Sequence, residues 1–195
     1  MMKQFLALAP LALLAACNSQ PTADPAADDG ANAVTPAPPQ ENQIPPAPEP
    51  TQPAHILSLQ GLGDLRIGEA VPATSDWQVR GAQVSDTCLV LSSSDYPGAY
   101  AIVEQDKVRR ISIGQRSSVK LAEGIGTGAS EAEVAEYFPF PATPHKYVDA
   151  PGKYLTAPNA ASGDPALRFE IGSDGKVSQI HVGTMPVLGY VEACS

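Results

Sequence analysis

The placement of proline divides this chain into a part that can fold and a part that cannot. Ten of its 20 prolines lie between Asn18 and Ala54. Proline removes a backbone donor and fixes φ, so that stretch can supply neither a helix interior nor a central strand. The same residues hold eight alanines, five acidic side chains and no lysine or arginine, with Val34 and Ile44 their only large aliphatics. Such a segment cannot bury enough apolar surface to offset the entropy of ordering it. It reads as a disordered, extended spacer of polyproline-II character, reaching at most about 110 Å at about 3.1 Å per residue. The other reading is a proline-motif ligand. Core formation falls to His55–Ser195, 141 residues, the usual size of one domain.

Ahead of the spacer, Lys3 precedes an apolar run from Phe5 to Leu14, which closes on Leu14-Ala15-Ala16-Cys17. The run is too short for a comfortable membrane-spanning helix. Its end resembles the lipobox of bacterial lipoproteins. The alternative is an ordinary secretory signal that contains a cysteine. The resemblance implies a signal peptide over residues 1–16, a diacylglyceryl group on the Cys17 thiol, and acylation, for example by palmitate, of the new amine. More than one acyl chain gives firm anchoring, so the membrane is the first expected partner. Asn18 stands where aspartate would favour retention in the inner membrane, which points to the outer membrane, facing the periplasm. The expected organisation is residues 1–16 signal, 17–54 anchor and spacer, and 55–195 one domain.

The formal charge is −9, and the domain itself carries 16 acidic and 11 basic residues. This balance excludes the basic face of a nucleic-acid binder and the polybasic patch of a membrane-surface domain.

Within the domain, apolar alternation and β-branching predict strands at Gly63–Ile67, Cys88–Leu91, Tyr100–Glu104, Lys107–Ile113, Lys146–Val148, Leu167–Ile171, Lys176–Val182 and Val187–Val191. Ser173-Asp174-Gly175 and Gln105-Asp106 read as hairpin turns. Ser130-Glu131-Ala132-Glu133 reads as a capping box opening a two-turn helix that Pro139 ends. The expected class is α+β, mostly antiparallel β with few short helices. A second, weaker helix is expected near Val71–Trp77, interrupted by Pro72.

Lys107-Val108-Arg109-Arg110-Ile111-Ser112-Ile113-Gly114 matches Lys176-Val177-Ser178-Gln179-Ile180-His181-Val182-Gly183. Lysine and valine open both, apolar residues share the alternating slots, and glycine closes both. A strand and a Gly-apolar-Gly segment precede each, which suggests an internal duplication over residues 61–114 and 124–183. Ile67-Gly68 and Thr127-Gly128 with Ser130–Val134 resemble the repeat of β-lactamase-inhibitor-type domains and of small lipoproteins of the outer-membrane assembly machine. The methionine usual after the glycine is replaced by Glu69 and Ala129. The whole layout also resembles a family of proteobacterial envelope lipoproteins. The resemblance implies partner binding and points to no binding residue.

With Cys17 assigned to lipid, Cys88 and Cys194 remain, and an even pair in an exported domain predicts a disulfide. The alternative, a reactive thiol pair, lacks the Cys-x-x-Cys spacing. Two cysteines and three scattered histidines show no zinc spacing, so no metal and no cofactor are expected.

Gly124-Ile125-Gly126-Thr127-Gly128 lacks the Gly-Lys-Ser/Thr ending of a phosphate loop and reads as a tight turn before a capped helix. Ser117-Ser118-Val119-Lys120 contains the Ser-x-x-Lys of penicillin-recognising enzymes without their Ser-Asp-Asn and Lys-Thr-Gly companions. Lys146, Tyr147, Lys153 and Tyr154 are the candidate partner-binding residues, because tyrosine and basic side chains suit interfaces. Their alternative is a hairpin with both tyrosines in the core. His181 alternates with Ile180 and Val182, which predicts a solvent-facing side chain on the opposite side. The expected function is a non-enzymatic envelope lipoprotein whose tethered domain binds a protein or cell-wall partner, with no catalytic residues. The alternatives are a glycan-binding module using tyrosines and Trp77, and a small periplasmic hydrolase using Ser117 and Lys120 or His145.

Overall fold

The computed structural model describes residues 55–81, 83 and 85–194. The expected signal peptide over residues 1–16, Cys17 and the expected proline-rich spacer to residue 54 lie outside the described residues. The elements are β1 (Gly61–Leu62), β2 (Leu65–Arg66), β3 (Gln78–Val79), β4 (Cys88–Ser92), β5 (Ala99–Glu104), β6 (Lys107–Gly114), α1 (Glu131–Tyr137), β7 (Ala142–Pro144), β8 (Lys153–Thr156), β9 (Ala166–Ile171) and β10 (Val177–Gly183). β1 and β2 form a small antiparallel pair, and the other eight strands form one sheet in the order β3-β4-β5-β6-β10-β9-β8-β7. Every neighbour in the large sheet is antiparallel. The chain runs as a meander from one edge to the middle. It then crosses to the far edge through residues 115–141 and meanders back.

This overturns the α+β expectation: the described domain is nearly all-β, with one α-helix of seven residues. The capping box forms, with the Glu133 N–H donating to Ser130 Oγ (3.2 Å) and the Ser130 N–H to Glu133 Oε2 (2.8 Å). No helix forms over residues 71–77. Pro72 cannot donate there, and Trp77 is drawn into the core to stack on Tyr96 at 5.7 Å between ring centroids. Lys146–Val148 is a turn, and the strands on either side of it are β7 and β8. The predicted strand at Val187–Val191 is instead a one-turn 3-10 helix over Val187–Gly189. Among the described residues no helix is long and apolar enough to cross a membrane.

The hairpins arise where the turn chemistry requires. Gln105 and Asp106 both adopt positive φ (54° and 60°), the two-residue turn whose twist matches the flanking β5 and β6. Gly175 at φ 72° closes the β9–β10 turn.

The two octapeptides matched in sequence are β6 and the start and body of β10, and they lie side by side at the middle of the sheet. Their register pairs Ile113 with Ile180, Ser112 with His181 and Ile111 with Val182. A half-turn about the Ser112–His181 pair exchanges the two strands. Each strand also receives its glycine step in the same way. The Gly68 N–H donates to the Val108 carbonyl (2.7 Å) and the Val108 N–H to that of Glu69 (2.8 Å). The Gly128 N–H donates to Val177 (2.8 Å) and the Val177 N–H to Ala129 (2.8 Å). Among the described residues the helix does not recur, so no helix-plus-strands unit is present twice there.

Alternation gives the sheet two faces. The first carries Leu91, Ala101, Ile111, Phe169 and Ile180 and is covered by α1 through Val134, by β1 and β2, and by the crossover through Val119 and Ile125. This is the main core. The second face carries a polar row across the sheet, Ser92–Tyr100–Ser112–His181–Arg168–Thr156, read from the strand registers. It is covered by residues 184–194, with Val187 packed on Cys88 and Ile102. Cys88 and Cys194 form a disulfide, with Cα atoms 6.1 Å apart and 106 residues of separation. The bridge clamps the covering segment to β4.

Candidate functional site

The chemistry-bearing side chains of the described domain converge on the second face. Ser112, His181 and Glu170 project there from β6, β10 and β9, one strand apart. Ser112 Oγ lies 2.7 Å from His181 Nδ1, and His181 Nε2 lies 3.1 Å from Glu170 Oε1. Burial, together with the charges of Arg110 and Arg168, pushes the His181 pKa below its ordinary 6.5 against the pull of Glu170. A neutral ring hydrogen-bonded in this way carries its proton on Nε2 and donates it to the carboxylate. Nδ1 then accepts the Ser112 hydroxyl.

Glu170 is the hub. Gln179 Nε2 donates to its Oε2 at 3.3 Å, and His145 Nε2 approaches the same oxygen at 3.5 Å. His145 Nδ1 accepts the backbone N–H groups of Tyr147 and Val148, which leaves Nε2 to present its proton to the carboxylate. Burial opposes ionisation of Glu170, but the hydrogen bonds and charges of His181 and His145 outweigh it and hold the carboxyl below its ordinary range.

Two guanidiniums flank this chain. Arg110 donates to the carbonyls of Val187 (3.1 Å) and Tyr190 (2.7 Å) and to Tyr100 Oη (3.2 Å). Tyr100 Oη in turn donates to Gln179 Oε1 at 3.3 Å. Gly183 lies opposite Arg110, where a Cβ would collide with the Arg109 carbonyl, so the central strands can approach closely only with glycine here. Arg168 lies 3.8 Å above the Tyr154 ring and donates to the Gly189 carbonyl at 3.3 Å. Burial pushes the Arg168 pKa down. Among the described residues no group of His, Cys, Asp and Glu could hold a metal ion.

A hydroxyl on imidazole on carboxylate is the connectivity of a nucleophile, base and orienting acid. Two features separate it from a working hydrolytic site. The ring nitrogens are exchanged relative to the serine-protease arrangement, the hydroxyl meeting Nδ1 rather than Nε2. Ser112 is 0% and His181 1% exposed, under the segment that Arg110, Arg168 and the disulfide hold down. His181 therefore faces the side that alternation assigned it, but it is buried rather than solvent-facing.

The four residues expected to bind a partner do not form one surface. Tyr154 is 4% exposed, stacked on His145 at 4.4 Å. Tyr147 is 59% exposed, and its hydroxyl donates to Glu192 Oε1 at 2.9 Å. Lys146 Nζ sits 5.1 Å from the centroid of the Tyr147 ring. Lys153 turns away to pair with Glu131 at 3.0 Å. Ser117 Oγ accepts the Val119 N–H in its own turn, while Lys120 is exposed beside Ile56. Neither is placed with His145, which is committed to Glu170. Trp77 is buried in the core against Tyr96 and offers no exposed aromatic platform.

Sequence reasoning missed Ser112, Arg110, Arg168 and Glu170 as a set. The available signal was polar residues at alternate positions of strands otherwise apolar, as in Arg110-Ile111-Ser112 and Arg168-Phe169-Glu170.

Compared with protein families, curated proteins and solved structures, the chain matches none.

Proposed function

We propose that the chain is a lipid-anchored envelope protein whose domain, carried on the proline-rich spacer, binds a protein or cell-wall partner without chemical turnover. The lipobox-like Leu14-Ala15-Ala16-Cys17, the spacer after it and the outer-membrane, periplasm-facing placement are parts of this proposal. The observation that carries the non-catalytic part is the closure of the Ser112–His181–Glu170 chain. The Ser112 hydroxyl and both His181 ring nitrogens have partners inside the fold, and Ser112 is fully buried. A network so satisfied orders the second face and the segment above it.

The test has two arms on the full chain. Labelled palmitate should be incorporated by the parent and not by Cys17→Ser. A fluorophosphonate, which modifies activated serines, should leave Ser112 unlabelled. Labelling that disappears in Ser112→Ala would instead favour the second reading, a hydrolase whose Ser–His–Glu chain is exposed when the covering segment lifts. If deletion of the spacer leaves a gene-deletion phenotype fully rescued, the tethered-reach part of the proposal fails.

A further inference from the structure

We propose that a recess at the β3 end of the second face binds a sugar acid, a saccharide bearing a carboxylate, through Arg80 and Arg116. The recess encloses about 480 Å³ and is lined in part by Arg80, Ser92, Tyr100, Gln115 and Arg116. The two arginines are its only charged lining residues, in a domain with five more acidic than basic side chains. Neither guanidinium has a hydrogen bond or ion pair to a described residue, although acidic side chains are plentiful elsewhere. Two arginines without a partner among the described residues, lining one recess, suit a carboxylate, which a guanidinium can grip in a bidentate manner.

The backbones that carry these side chains are fixed. Arg80 continues β3, its N–H donating to the Val90 carbonyl at 2.8 Å, and its own carbonyl accepts from Gln83 Nε2 at 2.7 Å. Arg116 lies in a turn closed by Ser117 N–H to Gly114 (2.9 Å), with the Gly114 N–H on the Gly98 carbonyl (3.0 Å). Gly98, at φ 79°, allows this approach, since a Cβ there would stand 2.6 Å from the Ser117 nitrogen. The charged ends are therefore unpartnered on hydrogen-bonded backbone, which limits the ordering cost of binding to the side chains themselves.

Neutral groups in the recess favour a sugar over a bare anion. Tyr100 lines part of the recess, its hydroxyl held by hydrogen bonds to Arg110 and Gln179. A fixed aromatic ring suits the C–H face of a pyranose. Ser92 Oγ and the Gln115 amide have no hydrogen-bond partner among the described residues, so both are available to ligand hydroxyls. The volume also exceeds what phosphate or a small carboxylate would fill. This inference rests on the proposed role as an envelope binder, since it specifies the chemistry of a cell-wall partner.

The test is a calorimetric titration of the full chain in detergent with N-acetylmuramic acid, N-acetylglucosamine and inorganic phosphate. The first two differ in the lactyl carboxylate. Saturable binding of N-acetylmuramic acid is expected, with N-acetylglucosamine and phosphate each weaker by about tenfold or more, the worth of one charge-assisted contact. Arg80→Gln and Arg116→Gln should each weaken binding by a similar factor at unchanged melting temperature. Arg116→Lys, which keeps charge but not the fork, should recover only part. Absence of saturable binding, binding unchanged in the double Arg→Gln variant, or phosphate binding as tightly as the sugar acid would each overturn the proposal. Crosslinked capture in intact envelopes separates the two readings. Capture that survives without sugar-acid binding refutes this recess alone, whereas sugar-acid binding that survives spacer-independent rescue refutes tethering alone.

Discussion

Ser112 and His181 stand directly opposite one another on the two central strands, and the serine hydroxyl reaches the imidazole Nδ1 at 2.7 Å. The contact lies where the half-turn relating β6 to β10 maps the pair onto itself. Two slots equivalent in pattern are thus filled by different side chains that complete each other. Ser112→Ala removes the donor and leaves a buried ring nitrogen unmet. Loss of about 1–3 kcal/mol in urea denaturation is expected. A variant as stable as the parent would show that the hydroxyl contributes nothing to the second face.

His181 makes stability depend on pH. Burial, with Arg110 and Arg168 nearby, holds its folded pKa below 6.5. Below that pH the unfolded chain takes up a proton that the folded chain refuses. Stability therefore rises with pH through this window and is lost as pH falls below about 6.5, at no more than about 1.4 kcal/mol per pH unit for one proton. Glu170, held below its ordinary 4.5, is favoured as the carboxylate in the fold. Its contribution is present above that value and lost as pH falls through its folded pKa. Thermal melts from pH 8 to 3 should show an early decline that His181→Gln removes and a later one that it diminishes, because His181 supplies the larger part of what holds Glu170 down. An unchanged early decline in His181→Gln would assign it to another group.

The disulfide closes a loop of 106 residues of separation and holds the segment over Arg110. Loop-closure entropy alone gives about 4–5 kcal/mol, and engineered and native bridges often deliver less. Cys88→Ser with Cys194→Ser should lower stability by about 2–5 kcal/mol. It should also raise hydrogen exchange in residues 184–194 above that of β6 and β10. Equal protection of the two regions would mean that Arg110, Arg168 and Val187 hold the segment without the bridge.

What could be read from sequence followed locality. The Asp174-Gly175 and Gln105-Asp106 turns, the Ser130–Glu133 capping box and the long alternating strands are set by neighbouring residues, and each is present. β3 and β7 are short edge strands and β8 is the short strand beside β7, all three specified by pairing rather than by their own pattern. Pro144 even ends one of them. Alternation placed His181 on the correct side of β10. It carries no information on whether that side is covered, because the cover is an apolar one-turn helix from the chain's far end that itself resembled a strand. For the same reason the Ser112–His181–Glu170 chain was invisible: its members come from three strands whose register only the fold determines.

Tyr147 and Tyr154, equal candidates by composition, should respond oppositely to truncation. Tyr154 is buried between the His145 ring and the Arg168 guanidinium, and its hydroxyl accepts the Lys146 N–H at 3.4 Å. Tyr154→Ala opens a cavity beneath a buried charge and unseats the loop that delivers His145 to Glu170. A loss of about 3–5 kcal/mol is expected, as for other large aromatic truncations. Tyr147 projects outward, and its contact is a hydroxyl on the solvent-accessible Glu192. Tyr147→Ala should change stability by about 0.5 kcal/mol or less. The check is guanidinium denaturation of both variants beside an envelope-crosslinking assay. Tyr147→Ala that keeps its stability and loses the captured partner would make Tyr147 part of an interface. Tyr154→Ala that keeps its stability would contradict the stacked arrangement on which His145 depends.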